Sequence, residues 1–285
     1  MKPGRFAYRR ATSVDEALAV LAEHGDEAKV LAGGQSLVPL LNMRLAQPQV
    51  LVDISKVEAL TAASVDDGEV RYGAATVHRR FEDGDVADAT GGLLRTAAAG
   101  IGYRAIRNRG TVGGSLAHAD ASAEWPVVMA ATDARVLVRS ATAERTVPAR
   151  EFVTGFFSSA LDDDELITEV CVPRLTADTT WGLHKFVRKL GEFSESLGVA
   201  ILRWDGGTVA AADIWLGAAR DVPVRVTPLE ERLVGAARPV DAAEAETALA
   251  GVLPAPSNAE ARYRRHLHAV TLSRAVADAI TRRTA

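Results

Sequence analysis

The chain has 285 residues, enough for two or three small domains, each with a core of its own. Its 48% apolar and 25% charged composition is ordinary for a globular protein, and a net charge of −4 argues against a nucleic-acid footprint, which is usually basic. No apolar run is long enough to cross a bilayer, and the charged start of the chain (Lys2, Arg5) is not followed by an apolar segment, so neither a membrane span nor a signal peptide is expected and a cytoplasmic setting follows.

Ser13-Val-Asp-Glu16 has the form of a capping box and opens an Ala/Leu-rich helix that stops near Gly25. Lys29 to Ala32 reads as a short strand, followed at once by Gly33-Gly34-Gln35-Ser36. Leu37 to Arg44 reads as a turn or short helix and Val50 to Ile54 as a buried strand, so residues 1–56 form a compact β/α unit. A strand at Glu69–Ala74, a helix from Gly92 to about Gly100, a glycine-rich loop at Asn108–Ser115, a helix at Ser122–Ala131 and a strand at Ala134–Arg139 follow. Glu165 to Pro173 alternates like a buried strand and carries Cys171, the only cysteine. One thiol can neither form an internal disulfide nor hold a four-thiolate iron–sulfur cluster. Cys171 is read as an inert core residue, and any iron–sulfur centre in a redox chain must come from another polypeptide.

After Pro173 the texture changes. Strands at Gly182–Lys189, Leu197–Trp204 and Thr208–Leu216 run consecutively, with Asp205-Gly206-Gly207 as a turn. Helices follow at Pro228–Val234, Asp241–Leu249 and about Ala259–Arg283. Strands followed by helices predict a separate α+β domain over 176–285, behind a middle unit over 57–175.

Two segments carry the chemistry: Ala32-Gly33-Gly34-Gln35-Ser36-Leu37 and Thr111-Val112-Gly113-Gly114-Ser115-Leu116. Each pairs glycines with a hydroxyl residue beside strand-like sequence. Glycine lets successive backbone N–H groups converge on one concavity, because no Cβ blocks the conformation or the approach of a ligand. Such a nest binds phosphate oxygens without a formal positive charge, and two nests suit a diphosphate. A lone Gly-Gly is more often a plain turn; the repeat of the pattern shifts that balance. Competing phosphate motifs fail. There is no G-x-x-x-x-G-K-[ST], and Gly100-Ile101-Gly102-Tyr103-Arg104-Ala105 matches the dinucleotide pattern but follows a helix-like stretch where a strand is required.

The run from Ala32 through Leu45, with Pro48 and Leu51-Val-Asp-Ile54 behind it, closely resembles the flavin (medium) subunits of molybdenum hydroxylases of the carbon monoxide dehydrogenase and xanthine dehydrogenase type. Arg107 to Asp120 resembles the second signature of that family, and Lys185-Phe186 through Gly191-Glu192-Phe193 a third, weaker one. The resemblance implies an α+β protein: a two-lobed FAD-binding domain, like that of vanillyl-alcohol oxidase and PCMH, and a C-terminal α+β domain with a small antiparallel sheet and helices. FAD would lie extended between the lobes, its diphosphate on Ala32–Leu37 and Thr111–Ser115, with Lys29, Val30 and Leu31 lining the approach. Ile101 falls where the family places a residue against the flavin or adenine side, Glu124 where an acid meets the adenosine part, Leu161 and Lys185 at further FAD contacts, and Phe193 beside the isoalloxazine. The resemblance implies no catalytic side chain and no metal here. It implies electron transfer from iron–sulfur clusters in a small subunit, fed by a molybdenum cofactor in a large subunit, through FAD to an external acceptor. Substitution of Gly34 or Gly114 by Asp is expected to abolish FAD binding. Glu192, Ser194 and Glu195 depart from the residues the family usually has beside the flavin.

Two other functions remain open at this point: a self-sufficient FAD oxidase or reductase, and a non-enzymatic phosphate-ligand or scaffold subunit. Several residues invite roles but have ordinary explanations. His118 reads as a hydrogen-bonded histidine holding the second loop rather than a general base. His266 and His268 sit two apart on a helix, facing different sides as solvated residues. Asp162-Asp-Asp-Glu165 lacks the spacing of a calcium loop. Arg104, Arg107 and Arg109 face a phosphate, a partner's acidic surface or solvent. Trp181, Trp204 and Trp215 read as core or interface.

Overall fold

A computed structural model describes residues 2–236 and 238–284. The chain opens with β1 (Ala7–Arg10), α1 (Val14–His24), β2 (Ala28–Leu31), α2 (Leu37–Met43) and β3 (Val50–Asp53). The strands form a parallel sheet ordered β1-β3-β2, with Val50 opposite both Ala7 and Ala28. All four residues of β3 are buried, as a central parallel strand requires. Its Asp53 accepts hydrogen bonds from the Tyr8 hydroxyl and from the Ser55 N–H, the latter at 2.8 Å. Strand β1 was not foreseen: Ala-Tyr-Arg-Arg is exposed throughout, so it has no apolar alternation and owes its conformation to pairing with β3. At the start of α1 the Ser13 hydroxyl accepts the Glu16 N–H at 3.1 Å, but the Glu16 carboxylate reaches the N–H of Thr12, at 2.7 Å, instead of that of Ser13. Ala17, Leu18 and Leu21 bury the apolar face of the helix in one cluster with Val50, Val52 and Ile54.

The middle of the chain runs β4 (Ala63–Asp66), β5 (Glu69–Gly73), α3 (His78–Asp83), α4 (Leu93–Ala99), α5 (Arg104–Arg107), α6 (Val112–His118), α7 (Glu124–Ala131), β6 (Arg135–Arg139), β7 (Glu144–Pro148), α8 (Ala149–Phe152), β8 (Val153–Gly155), β9 (Ser158–Ser159) and β10 (Leu166–Pro173). Five strands make an antiparallel sheet ordered β4-β5-β10-β6-β7. Every residue of α7 is buried, the signature of a helix threaded through a core. Cys171 lies inside this sheet, between Arg71 and Arg135 on the neighbouring strands, and burial raises its thiol pKa to about 11. It is unreactive packing, as expected. One expectation fails here. Asn108–Ser115 is not a continuous loop, because Val112 begins α6 with Thr111 as its N-cap.

The last part holds β11 (Thr179–Phe186), β12 (Ser196–Asp205), β13 (Thr208–Gly217), β14 (Val224–Arg225), α9 (Thr227–Leu233), α10 (Ala242–Leu249) and α11 (Ala259–Thr284). The strands form an antiparallel meander. The turn expected at Asp205-Gly206-Gly207 is present, with Asp205 paired to Thr208 across Gly206 and Gly207. Helix α11 lies directly on β11: a Cβ on Gly182 would stand 1.9 Å from the Ala275 carbonyl oxygen. Trp181, Trp204 and Trp215 are all buried. His268 departs from the solvated role expected of it. It is buried with Nδ1 2.8 Å from the Ser196 hydroxyl, and burial pulls its pKa to about 4.

Candidate functional site

The two glycine segments meet. A Cβ on Gly33 would lie 2.1 Å from the Arg109 carbonyl oxygen and 2.8 Å from the Gly110 Cα, so only glycine permits this backbone contact. One on Gly114 would lie 3.7 Å from the Ala32 Cβ. The turn between β2 and α2 therefore sits against the start of α6, which follows helix α5.

Their hydrogen bonding differs. From Gly33 to Leu37, none of the five backbone N–H groups has an acceptor among the described residues. Gly34 has φ +74, the left-handed conformation that folds this turn back on itself. Ser36 precedes α2 but makes no side-chain cap, leaving its hydroxyl available. In the second segment every comparable donor is used. Val112 N–H donates to the Thr76 carbonyl at 3.1 Å, Gly113 to Ala74 at 2.9 Å, Gly114 to the Thr111 hydroxyl at 3.1 Å and Ser115 to Thr111 at 3.0 Å. The expected pair of matching nests is corrected to one unsatisfied turn beside one completed helix start. The glycines of the second segment serve packing: a Cβ on Gly113 would come within 2.5 Å of the Ala74 Cβ, and one on Gly114 within 2.7 Å of the capping Thr111 oxygen.

Both segments line a cleft of about 680 Å³, inside the range of roughly 300–1,000 Å³ usual for ligand and cofactor sites. Lys29, Val30, Ala32, Gly33, Gly34, Gln35, Ser36 and Leu37 line it from the first unit. Thr111, Gly113, Gly114, Ser115, Ile101, Glu124 and Leu161 line it from the second, and Phe193 from the last part of the chain. Three of the residues singled out do not reach the cleft. Leu31 lies behind the turn, Val112 is fully buried in the core, and Lys185 touches the wall only through Glu124.

The lining is acidic. Against Lys29 stand Asp120, Glu124, Asp162, Asp163 and Glu165. Lys29 is itself 3.8 Å from Asp163, and Glu165 is held by both nitrogens of a fork from Arg145 at 2.7 and 2.5 Å. Glu124 is buried at the N-terminus of α7, where loss of water raises its pKa against the opposing pull of Lys185. The Lys185 Nζ joins three segments, donating to the Glu124 carboxylate at 2.6 Å and to the carbonyls of Gly100 and Glu192 at 3.0 Å. Among the described residues, the one lysine or arginine lining this cleft, Lys29, already faces Asp163. Binding of an anion must come from backbone and hydroxyl donors, which the Gly33–Leu37 turn supplies.

Sequence reasoning missed His78 and Phe157. His78 is buried in the wall and accepts from Trp125 Nε1 at 3.0 Å through Nδ1, and burial pulls its pKa to about 3. It is therefore neutral with its proton on Nε2. Nothing in Val77-His-Arg marks it, since its environment is made by residues far along the chain. His118 lines the cleft too, but its ring packs on Phe157, with centroids 4.9 Å apart, in place of the expected hydrogen bond. Of the three arginines in question, Arg104 and Arg107 are tied to Glu82 and Asp83, and only Arg109 is unpaired. Gly100 follows α4, a helix, so the apparent dinucleotide motif lacks its strand.

The family model for the FAD binding domain in molybdopterin dehydrogenase matches residues 4–175, and that for the CO dehydrogenase flavoprotein C-terminal domain matches 181–279. The alpha subunit of the 6-hydroxypseudooxynicotine dehydrogenase complex of Paenarthrobacter nicotinovorans is 38% identical, over 99% of this chain and 97% of its own. The carbon monoxide dehydrogenase medium chain of Hydrogenophaga pseudoflava is 34% identical over 86% of this chain and 85% of its own. Among solved structures, carbon monoxide dehydrogenase from the same organism superposes with a TM-score of 0.92 at 34% identity, and quinoline 2-oxidoreductase from Pseudomonas putida 86 with 0.90 at 34%, each covering 99% of both chains. An unsatisfied strand-to-helix turn, a cleft of cofactor size and matches that run from end to end lead to one conclusion: this chain belongs to the FAD-binding medium subunits of the molybdenum hydroxylase family.

Proposed function

We propose that this chain is the FAD-binding electron-transfer subunit of a molybdenum hydroxylase, relaying electrons from iron–sulfur clusters of a small partner subunit to an external acceptor. FAD, when bound, supplies the redox chemistry; the protein's part is to bind, orient and insulate it. The observation that carries the reading is the run of five unsatisfied N–H groups from Gly33 to Leu37 on a cleft whose one lysine or arginine, Lys29, already faces Asp163. With the Ser36 and Ser115 hydroxyls, these donors would hold the diphosphate. Ile101, Leu161 and Phe193 would flank the ring system and Glu124 would accept from a polar group of the cofactor, its carboxylate fixed by Lys185. Lys29, Val30 and Leu31 would shape the approach, Val112 would act from behind through the core, and Thr111, Gly113 and Gly114 would shape the wall beside the turn. No side chain is needed as nucleophile or base.

The named relatives support a division of labour. Similar chains occur in enzymes named for substrates as different as carbon monoxide and quinoline. A subunit shared among such enzymes is not where those substrates are recognised. With one cysteine, the chain relies on other polypeptides for clusters. Its setting is the cytoplasm, and its own division is into 1–56, 57–175 and 176–285. Among the described residues no helix is long and apolar enough to span a membrane.

Native expression with the neighbouring subunits tests this. The expected product is a complex with one flavin per copy of this chain, a large subunit containing molybdenum and a small one containing iron. A colourless chain that FAD does not stabilise, or a yellow chain that turns over a small substrate alone, would overturn it.

A further inference from the structure

A second cleft, of about 220 Å³, shares Ala32, Gly33 and Thr111 with the first and is otherwise separate. Its charged lining is the opposite of the first: Lys56, Arg80 and Arg109, with no carboxylate. None of the three has a carboxylate partner among the described residues, whereas nearby Arg104 and Arg107 are saturated by Glu82 and Asp83. Arg80 spends one N–H on the Thr61 carbonyl and keeps the rest of its fork. Thr76, also in the wall, is fully buried, and its hydroxyl has no partner among the described residues. Asn108 and Ser55 complete the polar lining.

Like charges gathered without a counter-charge repel, and a buried hydroxyl left unpaired is unfavourable. One kind of occupant relieves both: a group with several acceptor oxygens and a negative charge. At this volume, below the roughly 300–1,000 Å³ of whole-ligand sites, the cleft suits a single such group rather than a nucleotide. We propose that this cleft is an oxyanion site, taking a phosphate-type anion or a carboxylate, distinct from the flavin site and separated from it by the Gly33–Arg109 contact. Guanidinium groups of Arg80 and Arg109 supply paired donors, Lys56 supplies charge and Thr76 a buried hydroxyl. The same chemistry is available from free phosphate or from an acidic side chain of a partner subunit.

The test is titration of the FAD-loaded chain with inorganic phosphate at fixed ionic strength, read by calorimetry and by thermal stability, with flavin content followed separately by absorbance. The expected result is saturable one-to-one binding, weakened about tenfold or more by Arg80→Gln or Arg109→Gln with flavin content unchanged. Thr76→Val, nearly isosteric, is expected to raise the melting temperature without phosphate and to shrink the gain phosphate gives. Phosphate binding that disappears in the assembled complex assigns the site to a partner's carboxylate; binding that persists assigns it to a free anion. The proposal is overturned if chloride at equal ionic strength reproduces the response, if the variants leave it unchanged, or if phosphate binds only when FAD is removed. The last outcome would make the cleft part of the flavin site and leave the flavin reading itself intact.

Discussion

The two double-glycine segments look like copies in the sequence and do different work in the fold. Gly33-Gly34 belongs to a turn whose N–H groups have no acceptor among the described residues, whereas Gly113-Gly114 opens a helix whose first N–H groups are taken by Ala74, Thr76 and Thr111. A glycine pair beside a strand signals close backbone approach; whether it also signals a ligand depends on where the hydrogen bonds go. The unsatisfied segment keeps its donors for a ligand, and the satisfied one packs against it.

This contrast is sharpest under substitution. Gly34→Asp is expected to weaken FAD binding at least 100-fold, since it adds a carboxylate to the turn with unsatisfied N–H groups, while costing about 1–2 kcal/mol in stability from its positive φ. Flavin titration beside urea unfolding separates the two effects. Equal loss of both would break the comparison. Gly113→Ala should show the reverse order. Its methyl group would meet Ala74 at 2.5 Å, so about 1–3 kcal/mol of stability is lost, with flavin affinity of the folded fraction within a few-fold of the parent. Thr111→Val removes the α6 cap and should cost about 1 kcal/mol, again with little effect on flavin in the folded protein. A larger effect on flavin than on unfolding would give the second segment a direct binding role.

The smallest effect concerns His78, whose backbone N–H donates to the Gly110 carbonyl just ahead of the second segment. Its pKa in the folded protein is about 3, below its ordinary 6.5, so between those values the unfolded chain binds the extra proton. Its contribution is complete above about pH 6.5 and declines as pH falls toward 3. His78→Gln should flatten the fall of the urea midpoint across that window relative to the parent. Parallel curves would show that His78 is not buried in its neutral form.

Much of this was legible in the residues. Buried strands such as β3 and β10 announce themselves by apolar runs, and the long elements of the C-terminal part by periodicity and by the Asp205–Gly207 turn. The first turn was legible because Gly33, Gly34, Gln35 and Ser36 come just behind a strand that ends at Leu31. The second misled because its capping residue, Thr111, looks the same whether its hydroxyl meets a ligand or the Gly114 N–H. Strand β1 was invisible because its exposed Tyr8, Arg9 and Arg10 take their conformation from a partner some forty residues away. His78 was invisible because its character comes from Trp125, and no local pattern records that contact.

The acidic lining of the large cleft has a practical consequence. A diphosphate held by side-chain cations is loosened by salt, which screens exposed charges over about 10 Å at 0.1 M. On the proposed reading the donors are backbone dipoles, and the charged side chains lining the cleft are mostly carboxylates, which repel a diphosphate. Concentrated buffers should therefore leave the colour on the protein and even favour it, so flavin loss during ion exchange would reflect a disordered turn and not a weakened electrostatic grip.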